Sequence, residues 1–208
     1  HWQMLREHLL WFGQRLTIPI DVVVTLPTKP GTPTDAGTCT NETLVNFSWT
    51  ESTDSVSGIA GYNCRIGTTP GGNQAYDGFV GNVLAKSVNG SIGTTYYCHV
   101  QGKDNVGNVG PWSDSSDGIM VVENAGVSVA AAKFLPDGST LGMSSEVVTA
   151  VFGDCFYVQE SGGIPGIRVD PPAMPAGLAI GKTVDVWGTM KTTSSGERYI
   201  QGDASVLD

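Results

Sequence analysis

Three stretches between residues 43 and 103 alternate apolar with polar side chains at a period of two. Such alternation is typical of β-strands that bury one face and expose the other. Clusters of Gly, Pro, Asn and Asp separate the stretches, as turns between strands do. The sequence therefore predicts a β-sandwich over this part of the chain. The side chains predicted to point inward are Val45, Phe47, Trp49, Tyr62, Cys64, Ile66, Tyr96, Cys98 and Val100.

Several motifs in this region carry a family resemblance: Trp49, Gly61-Tyr62, the run 66–71, Tyr96-x-Cys98-x-Val100 and the run 104–108. On them, residues 31–123 resemble a fibronectin type III domain of the kind found in secreted bacterial proteins. The resemblance implies that Trp49 is a core tryptophan and that Tyr96 forms a tyrosine corner. It also implies a spacer, adhesion or assembly module rather than an enzyme. The implied strands lie near 32–38, 43–50, 60–67, 75–80, 83–88, 95–103 and 118–123.

A second domain is predicted over residues 124–208, where five strand-like runs follow a change in composition after Glu123. The runs cover 146–152, 155–160, 166–170, 183–190 and 198–202. On the first four of them, residues 127–208 resemble an OB-fold barrel, although a Pro/Ala/Gly loop over 171–177 replaces the helix often found there. The predicted fold class is all-β: a fibronectin type III-like sandwich plus a small OB-like barrel, with a short N-terminal helix and strand.

Residues 1–26 belong to neither domain, and a Pro/Thr linker over 27–34 separates them from the sandwich. Apolar residues at helical spacing predict an amphipathic helix over 2–16, and a β-branched run predicts a strand over 18–26. Large apolar side chains favour burial, so this segment packs on its own domains, on a missing upstream domain or on a neighbouring copy. Its candidate self-association residues are Trp2, Leu5, Leu9, Phe12, Leu16, Val22, Val23 and Val24.

Charge and cysteine content restrict the partners and the compartment. The net charge is −9, and residues 124–208 carry five basic against nine acidic side chains. This balance disfavours nucleic acid and anionic membranes, and no apolar run is long enough to span a membrane. Cys64 and Cys98 share the buried face of neighbouring strands, so they form either a disulfide or a pair of buried thiols. A disulfide would indicate an extracellular or cell-surface protein.

Candidate sites are few, and no catalytic template, cofactor motif or metal-ligand spacing is present. His99 is predicted to be a surface residue on the outer side of its strand. Sequons at Asn41, Asn46 and Asn89 predict surface glycosylation, which would make the chain a glycoprotein. In the barrel, Tyr157, Trp187 and Tyr199 are candidate residues for stacking against a glycan. The alternative is that Phe156 and Trp187 fill the barrel or the domain interface.

Two non-catalytic functions follow from these features. The leading hypothesis is an extracellular structural or adhesion protein that associates with copies of itself through residues 1–26, forming a surface fibre or layer. The alternative is a carbohydrate-binding accessory region of a secreted carbohydrate-active enzyme.

Overall fold

The computed structural model describes residues 5–6, 10–11, 25–162 and 166–207. Near the N-terminus, β1 (Leu5–Arg6) pairs with β2 (Leu10–Trp11) in an antiparallel ladder. The predicted helix over 2–16 is therefore wrong at these four residues. A helix of this length is marginal unless its apolar face is packed, so periodicity alone does not secure it. The other candidate self-association residues lie outside the described residues: Trp2, Leu9, Phe12, Leu16, Val22, Val23 and Val24.

The sandwich is built from eight short strands. They are β3 (Cys39–Thr40), β4 (Leu44–Ser48), β5 (Ile59–Gly67), β6 (Tyr76–Phe79), β7 (Ala85–Asn89), β8 (Thr95–Asp104), β9 (Val109–Trp112) and β10 (Ile119–Val121). In one sheet β4 pairs with β7, and a bridge joins Thr34 to Ser48. In the other sheet the strand order is β3-β10-β8-β5-β6, and β9 also pairs with β8. This is a fibronectin type III-like sandwich, as the sequence predicts.

Strand β9 is absent from the sequence-based prediction, because Gly110 and Pro111 give it low strand propensity. The presence of β9 also determines the environment of His99. Trp112 lies at the end of β9 and covers the imidazole, with ring centroids 4.7 Å apart. His99 is therefore buried, and the prediction of a surface histidine is wrong. Burial lowers its imidazole pKa.

All nine side chains predicted to point inward are buried between the two sheets. Two tyrosines there also bind the backbone. The Tyr62 hydroxyl accepts a hydrogen bond from the Ser52 N–H at 3.0 Å, and the Tyr96 hydroxyl accepts one from the Ser91 N–H at 3.1 Å. The second contact confirms the predicted tyrosine corner. Trp49 packs edge-on against Tyr62, with ring centroids 5.7 Å apart.

The C-terminal domain is a small closed barrel. A four-residue helix α1 (Val129–Ala132) precedes β11 (Thr140–Val151), β12 (Phe156–Gln159), β13 (Gly166–Asp170), β14 (Thr183–Thr192) and β15 (Arg198–Val206). The order around the barrel is β11-β12-β13-β15-β14, and only the β13–β15 pairing is parallel among these strands. The first strand begins at Thr140 rather than at residue 146 as predicted, because a bulge interrupts its alternation between Met143 and Glu146.

Hydrogen bonds join the two domains where the sandwich ends. The Glu123 N–H donates to the Thr140 hydroxyl at 2.9 Å, and the Gly142 N–H donates to the Asn124 carbonyl at 2.9 Å. Cys39 of the sandwich packs on Gly142, where any Cβ would collide with its sulfur. The connection is thus held by backbone contacts as well as by the covalent chain.

One carboxylate is buried at an end of the barrel. Glu146 is 5% exposed, and its Oε2 atom has no hydrogen-bond partner among the described residues. Burial and, to a smaller extent, the charge of Glu160 together raise the pKa of this carboxyl from its usual 4.5 to about 7. The folded chain therefore holds a proton that the unfolded chain has lost between these two values, so stability falls as the pH rises through this window.

We expect Tyr96→Phe to lower the free energy of unfolding by about 1–2 kcal/mol, because the Ser91 N–H loses its acceptor. Urea denaturation measures the change. Tyr97→Phe is the matched control on the same strand, since Tyr97 is half-buried and lies on the opposite face of the strand from Tyr96. Equal losses in both variants would contradict the tyrosine-corner assignment.

We expect Glu146→Gln to raise the free energy of unfolding at pH 8 by up to about 3 kcal/mol, because the variant removes a buried charge. At pH 4 both proteins are uncharged at this position, so the difference should nearly vanish. Urea denaturation at pH 4, 6 and 8 tests this, with the exposed Glu51→Gln as control. A gain in the free energy of unfolding that does not depend on pH would contradict the raised pKa of Glu146.

Candidate ligand-binding face of the barrel

Four neighbouring strands place a row of long side chains across the outside of the barrel. Tyr157 of β12 lies opposite Arg168 of β13, Arg168 lies opposite Tyr199 of β15, and Tyr199 lies opposite Lys191 of β14. Opposed residues on paired strands have their Cβ atoms about 4.5–5.5 Å apart. The row therefore alternates aromatic and cationic groups. We call Tyr157, Arg168 and Tyr199 the aromatic row.

Strand alternation fixes which way these side chains point. Their neighbours in the chain are core residues, so the row itself lies on the outer surface of the barrel. The core neighbours are Phe156, Val158, Ile167, Val169, Met190 and Ile200, all fully buried. The side chains of the row are half-buried, which leaves their edges and faces accessible.

Aromatic and cationic contacts hold the row in place. The exposed Phe152 packs edge-on against Tyr157, with ring centroids 5.9 Å apart. The Arg168 guanidinium carbon lies 5.7 Å from the Tyr199 ring centroid, within cation–π range. Rings fixed in this way lose little conformational freedom when a ligand binds.

Two carboxylates neutralise the arginine at the centre of the row. Arg168 Nε lies 2.5 Å from Asp170 Oδ1 and Nη2 lies 3.0 Å from Oδ2, a bidentate pair. Glu197 Oε2 lies 3.6 Å from Arg168 Nη1, and Glu197 Oε1 accepts a 2.6 Å hydrogen bond from the Tyr157 hydroxyl. That bond raises the pKa of Tyr157. The surface thus offers aromatic faces and polar groups without surplus positive charge.

Trp187 does not belong to this row. It lies on β14 four positions before Lys191, about 13 Å along the strand. Its partners across the strands are Gly142 and Asp203, and Gly142 is the residue on which Cys39 of the sandwich packs. The structure therefore brings together two of the three predicted stacking residues. Sequence reasoning missed Arg168, Phe152 and Glu197, which only the barrel register places beside them.

Cys64 and Cys98 lie on neighbouring strands with their sulfur atoms 3.8 Å apart, and both are free thiols in this structure. The disulfide predicted for this pair stays a prediction. The contact with the Cys64 thiol, together with burial, raises the pKa of Cys98. A raised thiol pKa makes the side chain a poor nucleophile.

The three sequon asparagines Asn41, Asn46 and Asn89 are exposed. Asn46 is the most constrained, because its Oδ1 accepts a 2.6 Å hydrogen bond from the Ser87 hydroxyl and its Nδ2 donates to the Leu44 carbonyl. Glycosylation at these positions stays a prediction. Within residues 5–6, 10–11, 25–162 and 166–207, no group of three or more His, Cys, Asp or Glu could hold a metal ion. Over the same residues, no helix has the length and apolar character needed to cross a membrane.

Neither a family model nor a curated protein matches the sequence. Several solved structures are similar to parts of it. The sixth fibronectin type III domain of human fibronectin type III domain containing protein 3 is 27% identical, with 48% of this chain and 89% of that chain covered and a TM-score of 0.38. Chicken CNTN1 domains FN1–FN3 are 16% identical, with 86% of this chain and 65% of that chain covered and a TM-score of 0.37. The hypothetical protein ygiW from E. coli is 18% identical, with 39% of this chain and 88% of that chain covered and a TM-score of 0.31. The fibronectin type III-like fold of residues 31–123 rests on its strand order.

Proposed function

We propose that the chain is a non-catalytic extracellular binding protein in which the sandwich is a spacer and the barrel binds saccharide on its aromatic row. The observation that carries the proposal is the placement of Tyr157 and Tyr199 on either side of Arg168. Sugar rings present apolar faces that pack on aromatic rings, and their hydroxyls bind charged and amide groups. Asp170 and Glu197 are acceptors within reach of such hydroxyls.

We further propose that the barrel is of the OB type. Its order, with the third and fifth strands parallel, supports this assignment. OB barrels bind oligosaccharides and oligonucleotides on the face of strands two and three and on the loops that follow strands one and four. Tyr157 and Arg168 occupy those strands, and Phe152 and Glu197 occupy those loops. Because Arg168 is already neutralised, the face suits saccharide better than phosphate.

Three sequence-based expectations belong to this proposal. Secretion would place Cys64 and Cys98 in an oxidising compartment, where their adjacent thiols form the predicted disulfide. The same location would allow glycosylation at the three exposed sequons. Nucleic acid is not an expected partner, because the barrel domain is acidic.

We expect Tyr157→Ala and Tyr199→Ala each to weaken saccharide binding about tenfold, through the loss of a stacking surface. The chain is first screened against a panel of plant, bacterial and animal oligosaccharides, and isothermal titration calorimetry then measures the affinity for the best ligand. Phe134→Ala is the matched control, because this aromatic side chain of the same domain is 90% exposed and lies outside the row. Absence of binding across the panel would refute the proposal, as would an equal loss in the control.

Self-association through residues 1–26 is the second candidate, and an open sheet edge favours it. β6 pairs only with β5, and β7 pairs only with β4, among the described strands. Next to these edges the exposed apolar side chains are Phe79, Val83 and Leu84. Unpaired edges accept strands from other chains. The short β1–β2 ladder is too small to be stable alone, so a docking partner would stabilise it.

We expect light scattering and negative-stain imaging to find large particles that disappear when residues 1–26 are removed or when Leu9→Asp and Phe12→Asp are combined. Val83→Asp with Leu84→Asp should have the same effect, because charge on the open edge opposes docking. Val106→Asp is the control, since this exposed residue lies away from the edge. A monomeric native chain, or particles that survive the truncation, would refute self-association.

A further inference from the structure

A cleft of about 410 Å³ opens beside the start of α1, and its lining includes none of the residues of the aromatic row. Its polar lining is unusually uniform: Ser128, Ser144, Ser145 and Ser161 supply hydroxyls, and Glu146 and Glu160 supply carboxylates. Small-molecule sites usually have volumes of about 300–1,000 Å³, with a few converging polar groups. The size and the lining therefore suit a small polar ligand.

Glu146 is the side chain that needs a partner. It is 95% buried, its Oε2 atom lacks a hydrogen bond to any described residue, and it lines the cleft. A buried carboxylate without a partner costs several kcal/mol unless it is protonated or meets a cation. No salt bridge within the described residues reaches it.

A second carboxylate makes the cleft more negative. Val147 pairs with Gln159 across β11 and β12, so Glu146 and Glu160 are the next facing positions beyond that pair. Like charges that face each other across strands are destabilising. Glu160 Oε1 accepts a 3.4 Å hydrogen bond from the Ala130 N–H, which offsets only part of its charge.

A backbone irregularity places the serines beside this pair. The register of β11 shifts between Met143 and Glu146, and Ser145 takes a φ of +62°. It is the one residue other than glycine with a positive φ in the part of the chain that the structure describes. Asp185 holds this conformation by accepting a 2.9 Å hydrogen bond from the Ser145 N–H. Bulges of this kind re-aim side chains and are frequent next to binding sites.

We propose that this cleft binds a primary ammonium group carried on a small hydroxylated molecule of amino-sugar size, with Glu146 and Glu160 holding the ammonium and the serines holding the hydroxyls. An ammonium has three hydrogen-bond donors, enough to reach both carboxylates, and its positive charge offsets one of the two negative charges. A calcium ion is a poorer match, because it needs six or more oxygens and is far smaller than the cleft.

The test compares glucosamine with N-acetylglucosamine, since acetylation removes the charge and keeps the ring. Isothermal titration calorimetry on the full chain carrying Tyr157→Ala and Tyr199→Ala, which disable the aromatic row, is expected to show saturable binding of glucosamine and none of N-acetylglucosamine. Glu146→Gln is expected to weaken glucosamine binding about thirtyfold or more, because it removes one charged partner of the ammonium. Glu160→Gln is a second variant with the same expected direction, and the exposed Glu51→Gln is the control.

Circular dichroism confirms that each variant is folded. Equal binding of the two sugars, binding unchanged in folded Glu146→Gln, or no saturable binding of glucosamine would each overturn the proposal. Calcium binding without glucosamine binding would overturn it in favour of a metal site. Because the aromatic row is disabled in every protein compared, this result stands apart from the outcome at the row.

Discussion

The barrel depends on one parallel pairing, that of β13 with β15. The other barrel pairings are antiparallel, and this one closes the cylinder by joining its third and fifth strands. It also sets the outer surface, because it is the contact that puts Arg168 opposite Tyr199. A one-residue shift in the register of β15 would turn Tyr199 inward and Ile200 outward. A core side chain would then be exposed, and Tyr199 would leave the aromatic row. The strand pairing that closes the barrel therefore also positions the side chains of the candidate ligand face.

The barrel carries two polar surfaces: in one the charged groups are paired, and in the other the carboxylates are not. On the aromatic row, Asp170 and Glu197 neutralise Arg168, and each charged group has a partner. In the serine-lined cleft, Glu146 and Glu160 face each other without a cation among the described residues. Satisfied charges favour neutral, hydroxyl-rich ligands, whereas unsatisfied buried carboxylates favour a cation. The two surfaces should consequently select different ligands, and substitutions at one should leave the other unchanged.

Period-two alternation was enough to predict the sandwich and its inward residues, because both depend on local pattern, whereas the tyrosine corner at Tyr96 followed from the family resemblance. The features that the sequence did not reveal depend on contacts between strands distant in the chain. His99 is buried only because Trp112 crosses it, and Tyr157 meets Tyr199 rather than Trp187 only because of the barrel register. The burial of Glu146 depends on the bulge before it, which resets the alternation of β11. The N-terminal helix failed at its described residues because amphipathic spacing needs a surface to pack on.

The proposed saccharide binding and the proposed self-association involve different domains, so the two proposals are compatible. The open edges of β6 and β7 belong to the sandwich, and the aromatic row belongs to the barrel. Hydrogen bonds at Thr140 and Gly142 hold the connection between the two domains at the end of the sandwich. Chains that associate through the sandwich would present many barrels side by side. Weak binding of each barrel to a repeating glycan would then sum to high avidity, which a single monomeric chain lacks.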